Sequence, residues 1–379
     1  MKYMGSKRAM LQNGLGDLIR EKAKSAKRVV DLFCGSAAIS WFAAENTECP
    51  VLSVDLQTYS AVLARSVISR TKPLDPQRCA RDWLQRAAKS EVSSDFWFNA
   101  FHLDNAELPI HDLGVQARRL AARIEKPVMR AYGGHYFSPL QCLALDSLRE
   151  HLPQHEPERS ICLAALIAAA SRCAAAPGHT AQPLTPSSTS EHSIRQAWRR
   201  NPFAIAYKEL VDICRRAAQK RGEARVDDAV KIAASLKRDD LVFVDPPYSG
   251  VQYSRFYHVL ETLAVGKDTS VSGVGRYPPL KDRPQSAFSN KGQSTTAVTT
   301  LLEALACAKP IVLFTFPNSK CSNGLSGKII QEIAQKHFYV QTKTVAGRFS
   351  TLGGNNLKRH ARLKSEELIL TLRPKRLSP

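Results

Sequence analysis

The sequence lacks the features by which several protein classes are recognised. Its nine cysteines include no CxxC pair, so the spacing of a zinc ribbon or a redox dithiol is missing. The most apolar stretch, 161–170, is shorter than the roughly 20 residues that a membrane span needs. The segment MKYMGSKRAM at the start has no apolar signal core, and the histidines are dispersed rather than clustered as metal ligands. We therefore expect a cytoplasmic protein without a membrane partner or a metal site.

Acidic residues are also scarce. The 379 residues contain 34 Asp and Glu against 54 Lys and Arg, which gives a formal net charge of +20. This excess makes a polyanion, most commonly nucleic acid, the expected partner, although a basic protein without such a partner would have the same composition. A hydrophobic fraction of 44% is that of an ordinary folded protein and excludes a disordered chain or a disulfide scaffold.

The distribution of apolar runs predicts an α/β fold with a helical insertion. Residues 8–25 have the periodicity of an amphipathic helix, and no internal repeat is present. Runs typical of buried strands lie at 29–33, 51–55, 241–245, 310–316, 338–345 and 366–372. Between about 80 and 225 such runs are absent, and helical, Arg-rich stretches dominate. We predict one α/β domain, 1–80 with 230–379, split by a mostly helical insertion, 81–229.

The first motif is DLFCGS, residues 31–36, at the end of the first strand. Gly35 would let the backbone approach a ligand at the carboxyl edge of the sheet. Asp55 ends the next strand about twenty residues later, where an acid typically binds a ribose diol. A tight turn without a ligand and a helix cap at Asp55 are the structural alternatives. Because GxGxxG is absent, the pattern favours a nucleoside cofactor without a pyrophosphate.

The second motif is Asp245-Pro246-Pro247-Tyr248, directly after the run LVFV. The prolines fix the turn and leave its carbonyls able to accept hydrogen bonds. Asp245 and a backbone carbonyl could accept both N–H bonds of an amino group on a planar ring that stacks on Tyr248. The alternative is a rigid Pro-Pro turn with the aspartate as its cap.

Together these motifs resemble those of the amino-group DNA methyltransferases that use S-adenosylmethionine. KYMGSK, residues 2–7, is similar to the N-terminal cofactor motif of the Dam-like group, and QYSRFYHVLET, residues 252–262, is similar to a helix of one branch. The motif order is that of the alpha class, in which the variable stretch between the Gly loop and DPPY holds the target-recognition domain. The resemblance implies a Rossmann-like class I methyltransferase sheet.

The resemblance also implies roles for individual residues. It assigns cofactor contacts to Tyr3, Lys7, Asp31, Phe33, Gly35 and Asp55. It also places Asp245 close to the methionine end of the cofactor. It assigns the target base to Asp245, the Pro246 carbonyl and Tyr248. Two positions depart from the family pattern. Ala37 stands where the loop after the first strand usually has its second glycine, and Ser6 stands where the N-terminal motif usually has the second glycine of a Gly-Gly pair.

The implied reaction is methyl transfer to the 6-amino group of an adenine flipped out of duplex DNA, in a prokaryotic restriction-modification or defence system. Acidic DPPY favours adenine, whereas Ser in the first position is more frequent in cytosine-modifying members. The alternatives are an RNA adenine or DNA cytosine amino methyltransferase, and a catalytically silent DNA-binding relative, which Ala37 suggests. A cognate restriction or defence protein is a possible partner by family analogy, and the sequence indicates no oligomeric state.

Candidate DNA contacts lie mostly in the insertion, as basic runs and one Gly/Pro-flanked loop. Phosphate contact is the functional interpretation and a solvated surface is the alternative. The loop at 178–183 could instead read a base edge. The candidates are Arg118, Arg119, Arg123, His179, Gln182, Arg199 and Arg200, with Lys358 and Arg359 before the last strand.

Overall fold

The computed structural model describes residues 7–89, 93–350 and 362–375, and side chains are described outside 346–350 and 362–365. The chain divides into two compact units. A sheet unit holds Met4–Thr71, Ala217–Tyr253 and Gln285–Pro379, and a helical unit holds Lys72–Arg216 and Ser254–Pro284.

The sheet unit is built on a seven-stranded sheet in the order β3-β2-β1-β4-β5-β7-β6. The first five strands pair in parallel, and β7 runs antiparallel to both β5 and β6. This arrangement confirms the α/β prediction. The strands are β1 Arg28–Asp31, β2 Val51–Asp55, β3 Glu223–Val226, β4 Asp240–Val244, β5 Ile311–Pro317, β6 Phe338–Ser350 and β7 Arg362–Pro374.

The central strands are buried on both faces, which is why they appear in the sequence as continuous apolar runs. All five residues of β4 are buried, as are four of the five in β2. Val30, Val242 and Phe314 belong to one core that extends to the helices. Strand β3 was missed because it lies at the edge of the sheet and buries only Ala224.

The helices of the sheet unit cover the sheet and connect its strands. The single helix expected over 8–25 is broken by a π-helical turn, Leu11–Leu15, in which Gly14 has a φ of +98°. Few residues other than glycine adopt that conformation. The helices are α1 Arg8–Met10, α2 Gly16–Ala23, α3 Ala38–Asn46, α4 Thr58–Ile68, α13 Ala229–Ala233, α16 Ser294–Ala308 and α17 Gly327–His337. Helix α14, Tyr253–Phe256, has its first residue in the sheet unit and the others in the helical unit.

The helical unit surrounds α10, whose Ala-rich sequence is buried along almost its whole length. Several of its helices begin with a side-chain cap, and Ser138 forms a full capping box with Gln141. The helices are α5 Pro76–Ala88, α6 Ser94–Asp104, α7 Ile110–Ala121, α8 Pro127–Tyr132, α9 Pro139–Glu150, α10 Glu158–Cys173, α11 Glu191–Trp198, α12 Pro202–Cys214 and α15 His258–Val265.

The division into units differs from the boundaries drawn on the sequence at three places. Residues 72–80, placed in the catalytic domain, belong to the helical unit. Residues 217–229, placed in the insertion, belong to the sheet unit because β3 pairs with β2. Residues 254–284, placed in the catalytic domain, pack with the helical unit. In the described part of the chain, no helix is long and apolar enough to cross a membrane.

Candidate active site

The candidate site lies at the carboxyl ends of three neighbouring strands. Strand β1 pairs with β2 on one side and with β4 on the other, so the order of strands reverses at this point. Open α/β sheets bind ligands at such a switch point. Asp31 ends β1, Asp55 ends β2, and Asp245 follows the last residue of β4. The fold thus brings three predicted carboxylates to one edge of the sheet.

Asp31 is the most deeply buried of these carboxylates, with 1% of its surface exposed. Its Oδ2 accepts a 2.6 Å hydrogen bond from Ser40, whose hydroxyl accepts one of 2.8 Å from Ser53. Its Oδ1 is buried and has no hydrogen-bond partner among the described residues. Burial raises the pKa of Asp31 to about 7, although the hydrogen bond from Ser40 lowers it. Repulsion by the charges of Asp245 and Asp55 adds to the rise. This orphaned oxygen is suited to a cationic ligand group.

Asp55 shapes the loop that follows β1. Its Oδ2 accepts from the Gly35 amide at 2.9 Å and its Oδ1 from the Gln57 amide at 3.0 Å. Gly35 has a φ of +48°, and Ala37, which stands where the family pattern has glycine, also has a positive φ, of +60°. Ala37 is fully buried and its amide donates to the Cys34 carbonyl at 2.7 Å. The loop therefore keeps the left-handed backbone at Ala37 despite the extra methyl group.

Phe33 forms one wall of this loop. Its half-buried ring meets Phe288 edge-on at a centroid distance of 5.1 Å. Phe288 belongs to the sheet core. The ring of Phe33 is thus anchored on the core while part of its surface remains accessible to a ligand.

Asp245 is held by two side chains from distant parts of the sequence, Thr315 and Lys7. Thr315 donates to its Oδ1 at 2.9 Å, and Lys7 Nζ lies 3.0 Å from the same oxygen and 2.9 Å from Glu367. Burial alone would lower the pKa of Lys7, but Asp245 and Glu367 outweigh it and raise that pKa. Burial raises the pKa of Asp245, and the charge of Lys7 opposes this rise. Lys7 therefore helps to keep Asp245 ionised.

The turn after Asp245 is fixed by Asn323, which is fully buried. Its Nδ2 donates to the carbonyls of Pro247 at 2.9 Å and of Phe288 at 3.0 Å. Pro246 is buried, and its carbonyl accepts no hydrogen bond from the residues that the structure describes. Two acceptors, Asp245 and the Pro246 carbonyl, are thus available next to each other.

Tyr248 is half-buried beside these acceptors. Its ring meets Phe316 and Tyr253 edge-on, at centroid distances of 6.5 and 6.4 Å. Lys7 Nζ lies 5.8 Å from the centroid of the same ring. These neighbours fix the plane of the ring, and Tyr248 remains partly exposed, which suits stacking.

Four residues of this edge were not identified from the sequence. Thr315, Asn323 and Glu367 contact the DPPY turn or Lys7, as described above. Asp227 follows β3, and its amide donates to the Asp55 carbonyl at 3.0 Å. The pair Asp227-Asp228 after a short strand is the one sequence signal that could have pointed to this position.

The predicted basic residues of the helical unit fall into two groups. Arg119 and Arg123, in and after α7, and Arg199, after α11, are exposed. Arg118 and Arg200 instead fold back onto the protein: Arg118 donates to the Gly134 carbonyl at 3.5 Å, and Arg200 donates to the Arg172 carbonyl. Exposed guanidinium groups remain able to reach phosphate, whereas the other two also stabilise the fold.

The loop with His179 and Gln182 is fastened through Thr180. The amide and the hydroxyl of Thr180 both donate to the Phe256 carbonyl, at 2.7 and 2.8 Å, and Tyr136 donates to the Thr180 carbonyl at 2.7 Å. His179 packs against Phe256 at 5.2 Å, and burial lowers the pKa of its imidazole. Gln182 is exposed. The loop is therefore held at its centre and presents Gln182 to solvent.

Three predicted residues, Tyr3, Lys358 and Arg359, lie outside the described residues. Within the described ranges, no group of three or more His, Cys, Asp and Glu side chains could hold a metal ion.

Comparison with known proteins agrees with this geometry. Over 95 residues, the chain is 28% identical to the modification methylase StsI of Streptococcus sanguinis, and the match covers 25% of this chain and 14% of that relative. The chain thus spans only about one-seventh of the relative's length. The model of the D12 class N6 adenine-specific DNA methyltransferases matches residues 3–121 and 187–308. Because this match covers more than half of the residues, the chain belongs to the D12 class N6 adenine-specific DNA methyltransferase family.

Proposed function

We propose that this protein transfers a methyl group from S-adenosylmethionine to the 6-amino group of an adenine flipped out of duplex DNA. The observation that carries the proposal is the pair of acceptors formed by Asp245 and the Pro246 carbonyl. It lies on the same sheet edge as the buried carboxylate Asp31 and the half-buried carboxylate Asp55. An amino-group acceptor site beside an acidic ligand pocket is what such a transfer requires.

The residues present fit this cofactor. The orphaned Oδ1 of Asp31 is a suitable neighbour for the positively charged methionine end, and Asp55 retains acceptor capacity for the ribose hydroxyls beyond the two amides that it accepts. We assign Asp227 as the contact of the cofactor's adenine amino group, since it follows the strand next to Asp55. When bound, the cofactor supplies an electrophilic methyl group on a sulfonium.

The protein's contribution to the reaction is positioning and polarisation. The lone pair of an aromatic amine is delocalised and weakly nucleophilic. By accepting both N–H bonds, Asp245 and the Pro246 carbonyl would localise that pair toward the methyl group. Lys7 and Thr315 hold the carboxylate in place, and Asn323 holds the turn. Alignment of the amine with the methyl group then provides most of the acceleration.

Tyr248 would receive the flipped base. Removing a base from the stack costs a few kcal/mol, and stacking on an aromatic ring returns about 1–3 kcal/mol per base. The edge-on contacts of Tyr248 with Phe316 and Tyr253 hold its ring in one plane. The ring therefore loses little conformational freedom when the base binds.

We assign DNA recognition to the helical unit. Arg119, Arg123 and Arg199 are exposed and would contact phosphates, and the loop with His179 and Gln182 would read a base edge. Lys358 and Arg359 are further proposed phosphate contacts. Because the relative is named a modification methylase, we place the protein in the cytoplasm of a prokaryote, within a restriction-modification system.

The test is methyl transfer from labelled S-adenosylmethionine to duplex DNA and to structured RNA, followed by digestion to nucleosides. We expect label in N6-methyl-2′-deoxyadenosine from DNA, and we expect Asp245→Ala to abolish it while DNA binding is retained. Label only in RNA, or only in cytosine, would overturn the substrate assignment. If the protein binds DNA but shows no cofactor binding by calorimetry, it is instead a silent DNA-binding relative.

A further inference from the structure

Two arginines of the helical unit share one aromatic ring. The guanidinium carbon of Arg255, in α14, lies 4.5 Å from the centroid of Tyr277, and that of Arg283 lies 5.5 Å from it. Arg283 follows the short 3-10 turn Leu280–Asp282. The two guanidinium groups are therefore no more than about 10 Å apart, so their charges repel at short range.

Arg255 is not neutralised as other arginines of the unit are. Arg255 is exposed, and it forms no salt bridge with the residues that the structure describes. By contrast, Arg172 pairs with Glu209 at 2.6 Å and Arg195 with Glu191 at 2.8 Å. Burial lowers the pKa of Arg283, and the like charge of Arg255 lowers it further. The cluster of Arg255, Arg283 and Tyr277 therefore carries concentrated positive charge, which a bound anion would stabilise.

The cluster is also fastened to the loop that carries His179 and Gln182. The Tyr277 hydroxyl donates to the carbonyl of Ala181, between those two residues. The backbone of the same loop donates from Thr180 to the carbonyl of Phe256, the neighbour of Arg255. A contact made by the cluster would thus set the position of the loop along a bound ligand.

We propose that Arg255 and Arg283, stacked on Tyr277, form a clamp for the backbone phosphates of the DNA substrate. This inference rests on the proposed function. Guanidinium groups bind phosphate through a planar fork of donors, and stacking on a ring orients that fork before the ligand arrives. Because phosphate contacts fix register, the clamp would set which base edge lies at His179 and Gln182.

The test is the salt dependence of DNA binding by Arg255→Met and Arg283→Met, measured without cofactor. Each phosphate contact contributes about 0.9 to the slope of log affinity against log salt concentration. We expect each variant to lose about this amount, so that raising salt from about 50 to 200 mM weakens binding roughly threefold less than in the parent protein. Thermal melting checks that both variants are folded.

The matched control is Arg20→Met. Arg20 also stacks on an aromatic ring, at 5.2 Å from the Phe42 centroid, but it lies in the sheet unit and pairs with Asp17 at 2.6 Å. We expect this variant to retain the parent slope. A parent slope in either clamp variant would overturn the proposal. Saturable binding of inorganic phosphate that Arg255→Met abolishes would instead assign the cluster to a free anion.

The measurement separates the clamp from the proposed function. If parent and variants bind DNA with the same slope but the parent methylates adenine, the clamp alone is wrong. If the parent protein methylates no DNA but the variants show a smaller slope of log affinity against log salt concentration, the clamp stands and the enzymatic assignment fails.

Discussion

Lys7 Nζ lies 3.0 Å from Oδ1 of Asp245 and 2.9 Å from Oε2 of Glu367, and only 4% of the Lys7 side chain is exposed. One buried cation, on the residue that precedes α1, thus contacts both the DPPY turn and strand β7. The resemblance assigned Lys7 to the cofactor. In the structure its ammonium group neutralises and orients the carboxylate proposed to bind the target amine.

Lys7→Met tests this relationship. Removing one partner of a buried ion pair typically costs about 3–5 kcal/mol, because the remaining charge is left uncompensated. We expect that loss in the free energy of unfolding, measured by denaturant titration. Without the cation, the pKa of Asp245 rises further, so the acid limb of the pH–rate profile should move to higher pH.

Glu367→Gln is the comparison for Lys7→Met. It removes one carboxylate and leaves the pair between Lys7 and Asp245 in place, so we expect the acid limb to stay or to move to lower pH. An acid limb at the parent pH in Lys7→Met would show that the lysine does not control the ionisation of Asp245.

Asn323→Asp should disrupt the base site without altering side-chain size. The amide donates to the carbonyls of Pro247 and Phe288, and a carboxylate would place an acceptor against both. Leaving a buried polar group unsatisfied costs about 1–3 kcal/mol, and more when it is charged. We expect a loss of at least that size in the free energy of unfolding and a lower kcat in methyl transfer.

Asn290→Asp provides the matched control for Asn323→Asp. Asn290 is exposed, and its Oδ1 accepts from the Gly292 amide at 2.9 Å, a bond that aspartate would also form. We expect stability within about 0.5 kcal/mol of the parent. Equal effects of the two substitutions would mean that the Asn323 hydrogen bonds do not hold the DPPY turn.

Sequence predicts well those strands whose own burial produces the apolar run that marks them. Strands β2 and β4 are buried on both faces, so their apolar runs mark them almost to the residue. The motifs follow such runs directly, which places Asp31, Asp55 and Asp245 at strand ends. Parallel pairing then brings them to one edge of the sheet.

The remaining site residues depend on the order of the strands, which no local pattern encodes. Glu367 reaches Lys7 because β7 pairs antiparallel with β5, across 360 positions of sequence separation. A run of basic residues likewise does not reveal which guanidinium folds back onto a carbonyl, as Arg118 does with Gly134. These contacts arise from tertiary packing rather than from local propensity.

Ala37 stands where the family pattern has glycine, and substituting it tests how the loop tolerates alanine there. Its φ of +60° costs an L-residue about 1–2 kcal/mol. Ala37→Gly would relieve this strain, but it would lose a buried methyl group and add freedom to the unfolded chain. These terms nearly cancel, so we expect the free energy of unfolding to change by less than about 0.5 kcal/mol and cofactor affinity to be retained.

Ala43→Gly is the reference for Ala37→Gly, because Ala43 is equally buried in the regular part of α3. There the substitution relieves no strain and should cost at least about 1 kcal/mol. Denaturant unfolding of both variants gives the comparison. Equal losses at the two positions would contradict the strain assigned to Ala37.

The buried Asp31 predicts how stability depends on pH. Its pKa is about 7 in the folded protein against the ordinary aspartate value of 3.8, so between these pH values the native state binds a proton that the unfolded chain has released. The free energy of unfolding must therefore fall as pH rises through this window. At one pKa unit per 1.36 kcal/mol, the full cost above pH 7 is on the order of 4 kcal/mol.

Asp31→Asn carries no charge at any pH and should lack this cost. We expect the variant and the parent protein to have similar stability near pH 4 and the variant to gain by up to about 4 kcal/mol near pH 8. Denaturant unfolding at several pH values measures this difference, and Asp146, whose pKa burial also raises to about 7, contributes equally to both proteins. A difference that stays constant across the window would mean that Asp31 is already ionised in the folded protein at low pH. Cofactor affinity measured on the same two proteins should fall in Asp31→Asn, because the negative charge that is costly in the free protein is the one that would attract the cationic methionine end.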